Sequence, residues 1–231
     1  MSYTWQLVVA TSILGLTTMA AYIQRKHSSL EAKVNRHKVS CKEREEERDK
    51  GNLSSLPQAL LGNPATPALL HEKCSIPIHN YTLPDNSPEH FTNLLRHNMS
   101  SFARYPQAWI FWLVLPKHRH TFSRSYIERL NFVEGDLICG VYRIVTTKPT
   151  YVELSMEVPP RFGSVAGLLV IRLETSSNFG VTMTTETLQW TLDGTIRNLP
   201  LSKPIPKLLH EFASASLLVS GAEFLGNLHD S

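Results

Sequence analysis

Apolar and polar positions alternate from Tyr151 to Val158: Val152, Leu154, Met156 and Val158 share one face, and Tyr151, Glu153, Ser155 and Glu157 the other. That period of two marks a strand. The preceding run, Gly135 to Thr146, reads as a strand apolar on both faces, joined to the next by a turn at Thr147-Lys148-Pro149-Thr150. Such a strand has to be covered on both sides. After a break at Pro159-Pro160-Arg161-Phe162-Gly163, Gly167 to Leu173 is a third, apolar strand candidate, and Gly180 to Thr191, rich in β-branched residues, is a fourth. Four strands with short connections point to an antiparallel meander.

Elsewhere the period is helical. Phe91, Leu94, Leu95, Met99 and Phe102 recur at three and four residues, followed by a dense block of Trp109, Phe111, Trp112, Leu113, Val114 and Leu115, with breaks expected at Pro106 and Pro116. Ala108 to Leu115 is eight residues, too short to cross a bilayer, so core packing is the favoured reading and contact with a membrane interface the other. At the C-terminus, Ile205, Leu208, Leu209, Phe212, Ala215, Val219 and Ala222 repeat with helical spacing between the Pro204/Pro206 start signals and Gly226. The pattern therefore defines an α+β fold, an antiparallel β-sheet meander with a long C-terminal helix packed across it and a cavity between the two.

The N-terminal pattern is different in kind. Trp5 to Ile23 is nineteen residues without a charge, followed at once by Arg25 and Lys26. It is long enough for a transmembrane helix. A cleaved signal peptide is the alternative, disfavoured because Met1 to Thr4 contains no basic residue. The basic residues Arg25, Lys26, Lys33, Arg36 and Lys38 all follow the run, which places the body of the chain in the cytosol, the endoplasmic reticulum being the expected membrane. Sequons at Asn52, Asn80 and Asn98 point the other way, since glycans are added in a lumen. Residues 1–24 are thus expected as an anchor, 25–50 as a charged helical stalk, 51–86 as a Pro-rich linker, and 87–231 as the globular domain.

Charge changes the picture little. The chain carries +3, all of it from residues 25–50 with nine Lys/Arg against six Asp/Glu; residues 51–231 balance at fourteen each. A neutral body argues against a nucleic-acid partner. Cys41, Cys74 and Cys139 are few and scattered, indicating neither a disulfide framework nor a zinc site. His118-Arg119-His120 has the H-x-H spacing of two metal ligands but no third at motif spacing, so a solvated basic loop is the stronger reading and no metal is expected. Dinucleotide, Walker, nucleophile-elbow and H-E-x-x-H motifs are absent, which removes the usual grounds for nucleotide, α/β-hydrolase or zincin chemistry.

The segment SFARYPQAWIFWLVL followed by LNFVEGDLICGVYRIV resembles, in layout, an uncharacterised family of the START-like superfamily, whose helix-grip fold serves lipid transfer and polyketide cyclisation. The resemblance covers residues 87–228, although the N-terminal strand of that fold is not evident; a hot-dog-like or lipocalin-like sheet is the alternative. It implies an apolar cavity with a few orienting polar groups. Catalytic candidates are then Tyr142 and Glu186 as proton or hydrogen-bond donors and Arg143 and Arg172 as oxyanion stabilisers. Trp109, Trp112, Glu153, Trp190 and Phe212 are candidates for substrate binding. The implied function is a membrane-anchored cyclase or isomerase, needing no cofactor, for a terpenoid or polyketide intermediate, working beside membrane-bound oxidases. A lipid- or sterol-binding carrier is the other reading, and a structural adaptor with a filled core the third.

Overall fold

The computed structural model describes residues 24–57, 60, 69–79, 81–84, 86–157, 165–176, 180–191 and 199–229. Among them no helix is long and apolar enough to cross a membrane; the expected span, 5–23, lies outside the described residues, as does Asn80.

Seven strands form one antiparallel sheet: β1 (Asn35–Lys38), β2 (Leu69–Ile78), β3 (Leu137–Ile138), β4 (Tyr142–Lys148), β5 (Tyr151–Met156), β6 (Val165–Ser176) and β7 (Gly180–Thr191). Their spatial order is β1-β2-β7-β6-β5-β4-β3, so the expected meander from β3 to β7 is present. Helices among the described residues include α1 (Cys41–Asp49), α2 (Ser87–Phe102), α3 (Pro106–Val114), α4 (Arg124–Ile127) and α5 (Pro204–His229), with 3-10 helices at Pro116–Phe122 and Pro200–Ser202; residues 24–31 are also helical. Pro106, Pro116 and Pro204 each open a helix, where the missing N–H would have no partner in any case.

The run expected as one strand from Gly135 is two. Cys139 (φ 49°) and Gly140 (φ 66°) adopt left-handed backbone and reverse the chain between β3 and β4. A Cβ on Gly140 would also lie 3.0 Å from the His118 Cβ. Of the segments expected as a stalk (25–50) and a Pro-rich linker (51–86), the described residues include two strands of the sheet. Their strands β1 and β2 extend the sheet, with Arg36 opposite Cys74 and Cys74 opposite Thr185.

The two sheet faces are covered by different parts of the chain. Leu94, Leu95 and Met99 of α2 and Leu217, Leu218 and Leu225 of α5 pack with Val152, Leu154, Ile171 and Met183 on the inner face. Leu53, Leu56 and Leu60 pack with Tyr151, Leu168, Val170, Leu188 and Trp190 on the outer face. Strand β6, with Leu168 and Val170 outward and Ile171 inward, is thereby covered on both faces.

Apolar burial alone does not hold the outer cover. Ordering residues 53–57 costs roughly 5–10 kcal/mol of backbone entropy, whereas burying Leu53 and Leu56 returns roughly 3–6 kcal/mol. Polar contacts supply the difference. The Ser54 and Ser55 amides donate to the Glu153 carboxylate at 2.7 and 2.9 Å, and such charge-assisted bonds contribute roughly 1.5–3 kcal/mol each. The Leu53 amide donates to the Tyr151 hydroxyl at 2.8 Å, which in turn donates to Glu153.

Candidate functional site

Between the inner face of the sheet and helices α2, α3 and α5 lies a cavity of about 320 Å³. Four strands and three helices shape it. Strands β4 to β7 contribute alternate residues, among them Tyr142, Met156, Leu169, Ile171, Thr185, Thr187 and Gln189. Helix α2 contributes Asn98, Met99 and Phe102, α3 Gln107, Phe111 and Val114, and α5 Leu209, His210, Ala213 and Leu217. The described lining contains no Lys, Arg, Asp or Glu. Apart from His210, a charged ligand would meet no ionisable partner in that lining and would carry a large desolvation cost, so the lining suits a neutral one.

Its polar groups are few and unequal. Asn98 is completely buried, and neither its amide nitrogen nor its oxygen has a hydrogen-bond partner in the protein. The Gln107 Oε1 is likewise buried and unpartnered. Tyr142 is buried, packs edge-on to Phe102 with ring centroids 5.6 Å apart, and burial, with a lesser effect of nearby Cys139, pushes its phenol up from the ordinary value. It is therefore a neutral hydroxyl able to donate. Gln189 is occupied, its Oε1 accepting from the Leu201 amide at 3.2 Å and so fixing the turn that precedes α5.

His210 stands 3.4 Å from Glu72. Burial opposes ionisation of Glu72, but the hydrogen bond from His210 and the charge of Arg36 override it and hold the carboxyl below its usual range. Arg36 also donates to Ser214 Oγ at 2.9 Å, so α5 is pinned to β1 and β2 by polar contacts at the edge of the cavity.

Of the residues expected in the cavity, Tyr142 is there and the others are elsewhere. Period-two alternation forces Arg143, next to Tyr142, onto the other face, where it pairs with Glu157 and donates to the Gly135 carbonyl at 2.8 Å. Arg172, Glu186, Glu153 and Trp190 also face outward, under α1, residues 53–57 and Leu60. Arg172 is 2 % exposed, with Glu47 at 2.6 Å, Glu186 at 2.8 Å and Glu174 at 3.3 Å; His71 meets Glu186 at 2.8 Å. Burial works against ionised Glu47, yet hydrogen bonds from Arg172 and Asn52 hold its carboxyl down at about 2. This network is a clamp for the outer cover. Trp190 belongs to the outer apolar cluster, Phe212 packs edge-on to Tyr105 at 5.8 Å, and Trp109 and Trp112 are 51 % and 40 % exposed on α3. His118 and His120 lie in the 3-10 helix, and among the described residues no group of three potential ligands is placed to hold a metal.

Sequence reasoning passed over Asn98, Gln107 and His210. A signal for Asn98 was present: it falls four residues after Leu94 and four before Phe102, a polar residue in the apolar stripe of α2. Its complete burial also excludes a glycan at that sequon in the folded chain.

The architecture defines an α+β protein whose seven-stranded antiparallel sheet is crossed by a long C-terminal helix. Comparison with protein-family models, curated proteins and solved structures finds no match to the chain.

Proposed function

We propose that the chain binds a neutral, hydrophobic small molecule in the helix–sheet cavity and promotes its cyclisation or isomerisation without a cofactor. Asn98 carries this reading. A fully buried amide with both atoms unpartnered, set in a largely apolar wall, is costly to fold and is repaid when a ligand presents a carbonyl or hydroxyl group to it. Tyr142 and Gln107 supply a second donor and a second acceptor. In such a site catalysis comes from shape and a few hydrogen bonds: holding a flexible molecule in a near-attack conformer lowers the barrier, and donors aimed at an oxygen that gains charge in the transition state lower it further.

The sheet with its crossing helix supports the helix-grip reading, and through it a terpenoid or polyketide substrate class. An anchor at residues 5–23, holding the body at the cytosolic face of the endoplasmic reticulum, would keep the cavity beside the membranes where such intermediates and the oxidases that handle them reside. The second reading is a carrier of a neutral lipid, favoured by the lack of any Lys, Arg, Asp or Glu in the described lining.

Incubation of the molecule recovered from the cavity with wild-type, Tyr142→Phe and Asn98→Leu chains tests the two. Conversion by the wild type, slowed at least about tenfold in Tyr142→Phe, supports the enzyme. Return of the molecule unchanged by the wild type overturns it in favour of the carrier.

A further inference from the structure

The exposed apolar side chains are not scattered. Trp109, Ile110, Trp112 and Leu113 on α3 are 51, 50, 40 and 63 % exposed, and Ile205 at the start of α5 is 72 % exposed. Ile110 and Ile205 also line the cavity, so the two exposed segments meet at its mouth. A monomer in water gains nothing from presenting two tryptophans and three aliphatic side chains together.

Charge identifies what covers them. Residues 104–127 and 199–210 carry Arg104, Lys117, Arg119, Arg124, Lys203 and Lys207 and not one Asp or Glu, and all six are exposed. Arg124 and Lys207 are paired with Glu128 and Glu211; among the described residues no carboxylate forms an ion pair with Arg104, Lys117, Arg119 or Lys203. The Arg119 guanidinium stacks on the Trp112 ring, 4.0 Å from its centroid, and donates to the Trp112 carbonyl at 3.2 Å, so charge and aromatic ring present one amphipathic surface. Tryptophan beside unpaired cations is the chemistry of a lipid interface: rings sit among the headgroups while cations meet anionic phosphates.

We infer that α3 and the start of α5 form a docking surface for an anionic phospholipid membrane, seated so that the mouth of the cavity opens into the acyl chains. A hydrophobic ligand would then enter and leave through lipid without crossing water. The surface stands on its own exposure and charge, and holds whether or not the cavity is catalytic.

The test uses the full chain with vesicles of phosphatidylcholine, with and without phosphatidylserine, doped with acyl-brominated lipid that quenches tryptophan on contact. Wild type is compared with Trp109→Phe/Trp112→Phe, whose remaining tryptophans report any contact made elsewhere, including through residues 5–23. The quenched, blue-shifted fraction is expected to be larger in the wild type than in the double variant, and the excess to be reduced at least twofold by Lys117→Glu/Arg119→Glu. All four substitutions are at exposed positions, and an unchanged circular-dichroism melt verifies that the variants fold. Equal quenching with and without Trp109 and Trp112 would overturn the inference, leaving the face for a protein partner. Quenching that ignores phosphatidylserine and survives the charge reversal would overturn the anionic part of it.

Discussion

Replacing Asn98 by leucine is expected to stabilise the ligand-free protein while emptying its cavity. Substitutions of a fully buried core residue usually destabilise, so the sign is diagnostic. Asn98 is completely buried with both amide atoms unpartnered, and leaving such a group unsatisfied costs roughly 1–3 kcal/mol. Leucine has the same branching and number of side-chain heavy atoms, suits the interior of α2, and can extend its larger methyl groups into the cavity beside Met99 and Phe102. A net gain of about 2 kcal/mol raises the melting temperature by roughly 4–8 °C for a chain of this size. The assay is thermal unfolding followed by circular dichroism on protein stripped of ligand. The same substitution removes the amide that meets the ligand, and one lost hydrogen bond of about 1.4 kcal/mol weakens affinity about tenfold. A lower melting temperature in the stripped variant would show that the amide serves the fold, and would refute the assignment of Asn98 to a ligand.

Glu47→Gln should flatten the acid limb of stability. The folded carboxyl lies near 2 against an ordinary 4.5, so the ionised form stabilises fully above about pH 4.5 and the contribution is lost as pH falls toward 2; urea midpoints across that window measure it. Arg172→Met is expected to lower stability by about 3 kcal/mol, because it removes the buried guanidinium between Glu47 and Glu186 and leaves Glu47, among the described residues, only the longer ion pairs with Lys73 and Lys50, yet to leave cavity occupancy unchanged below the melting temperature; lost occupancy in a folded variant would return Arg172 to the site. Gly180→Ala should cost at least about 1–2 kcal/mol, since Gly180 has φ +82° and a Cβ there would lie 2.7 Å from the Tyr81 carbonyl oxygen; a neutral urea midpoint would contradict that geometry.

The elements with strong periodicity were readable. Val152, Leu154 and Met156 of β5, the length of β7, and the proline-opened α5 follow directly from spacing. Strands β1 and β2 were not, for physical reasons that can be named. The sequence of β1, Asn35-Arg36-His37-Lys38, has no apolar residue, because it is an edge strand whose Arg36 is used in ion pairs with Glu31 and Glu72. The β2 sequence carries Pro77, which argues against a strand until its position is seen: β1 pairs with residues 72–75, so Pro77 lies beyond its end, where one edge of β2 is free of β1. The cavity face was misjudged for a related cause. Alternation says which residues share a face but not which face holds the cavity, and charged residues at Arg172, Glu186 and Glu153 suggested an active site when they were the clamp for a cover that itself had been read as stalk and linker. Asn98 was overlooked because one polar residue in an apolar stripe is a weak signal until burial and missing partners are known.

Native mass spectrometry of the full chain, purified in detergent from cells that make its host's metabolites, tests most directly whether the cavity is a binding site for a neutral molecule. The expected result is an adduct of a neutral, hydrophobic compound bearing a carbonyl or hydroxyl oxygen, retained by Arg172→Met and depleted in Asn98→Leu. An empty wild-type chain, or an adduct carried equally by the wild type and Asn98→Leu, would contradict it.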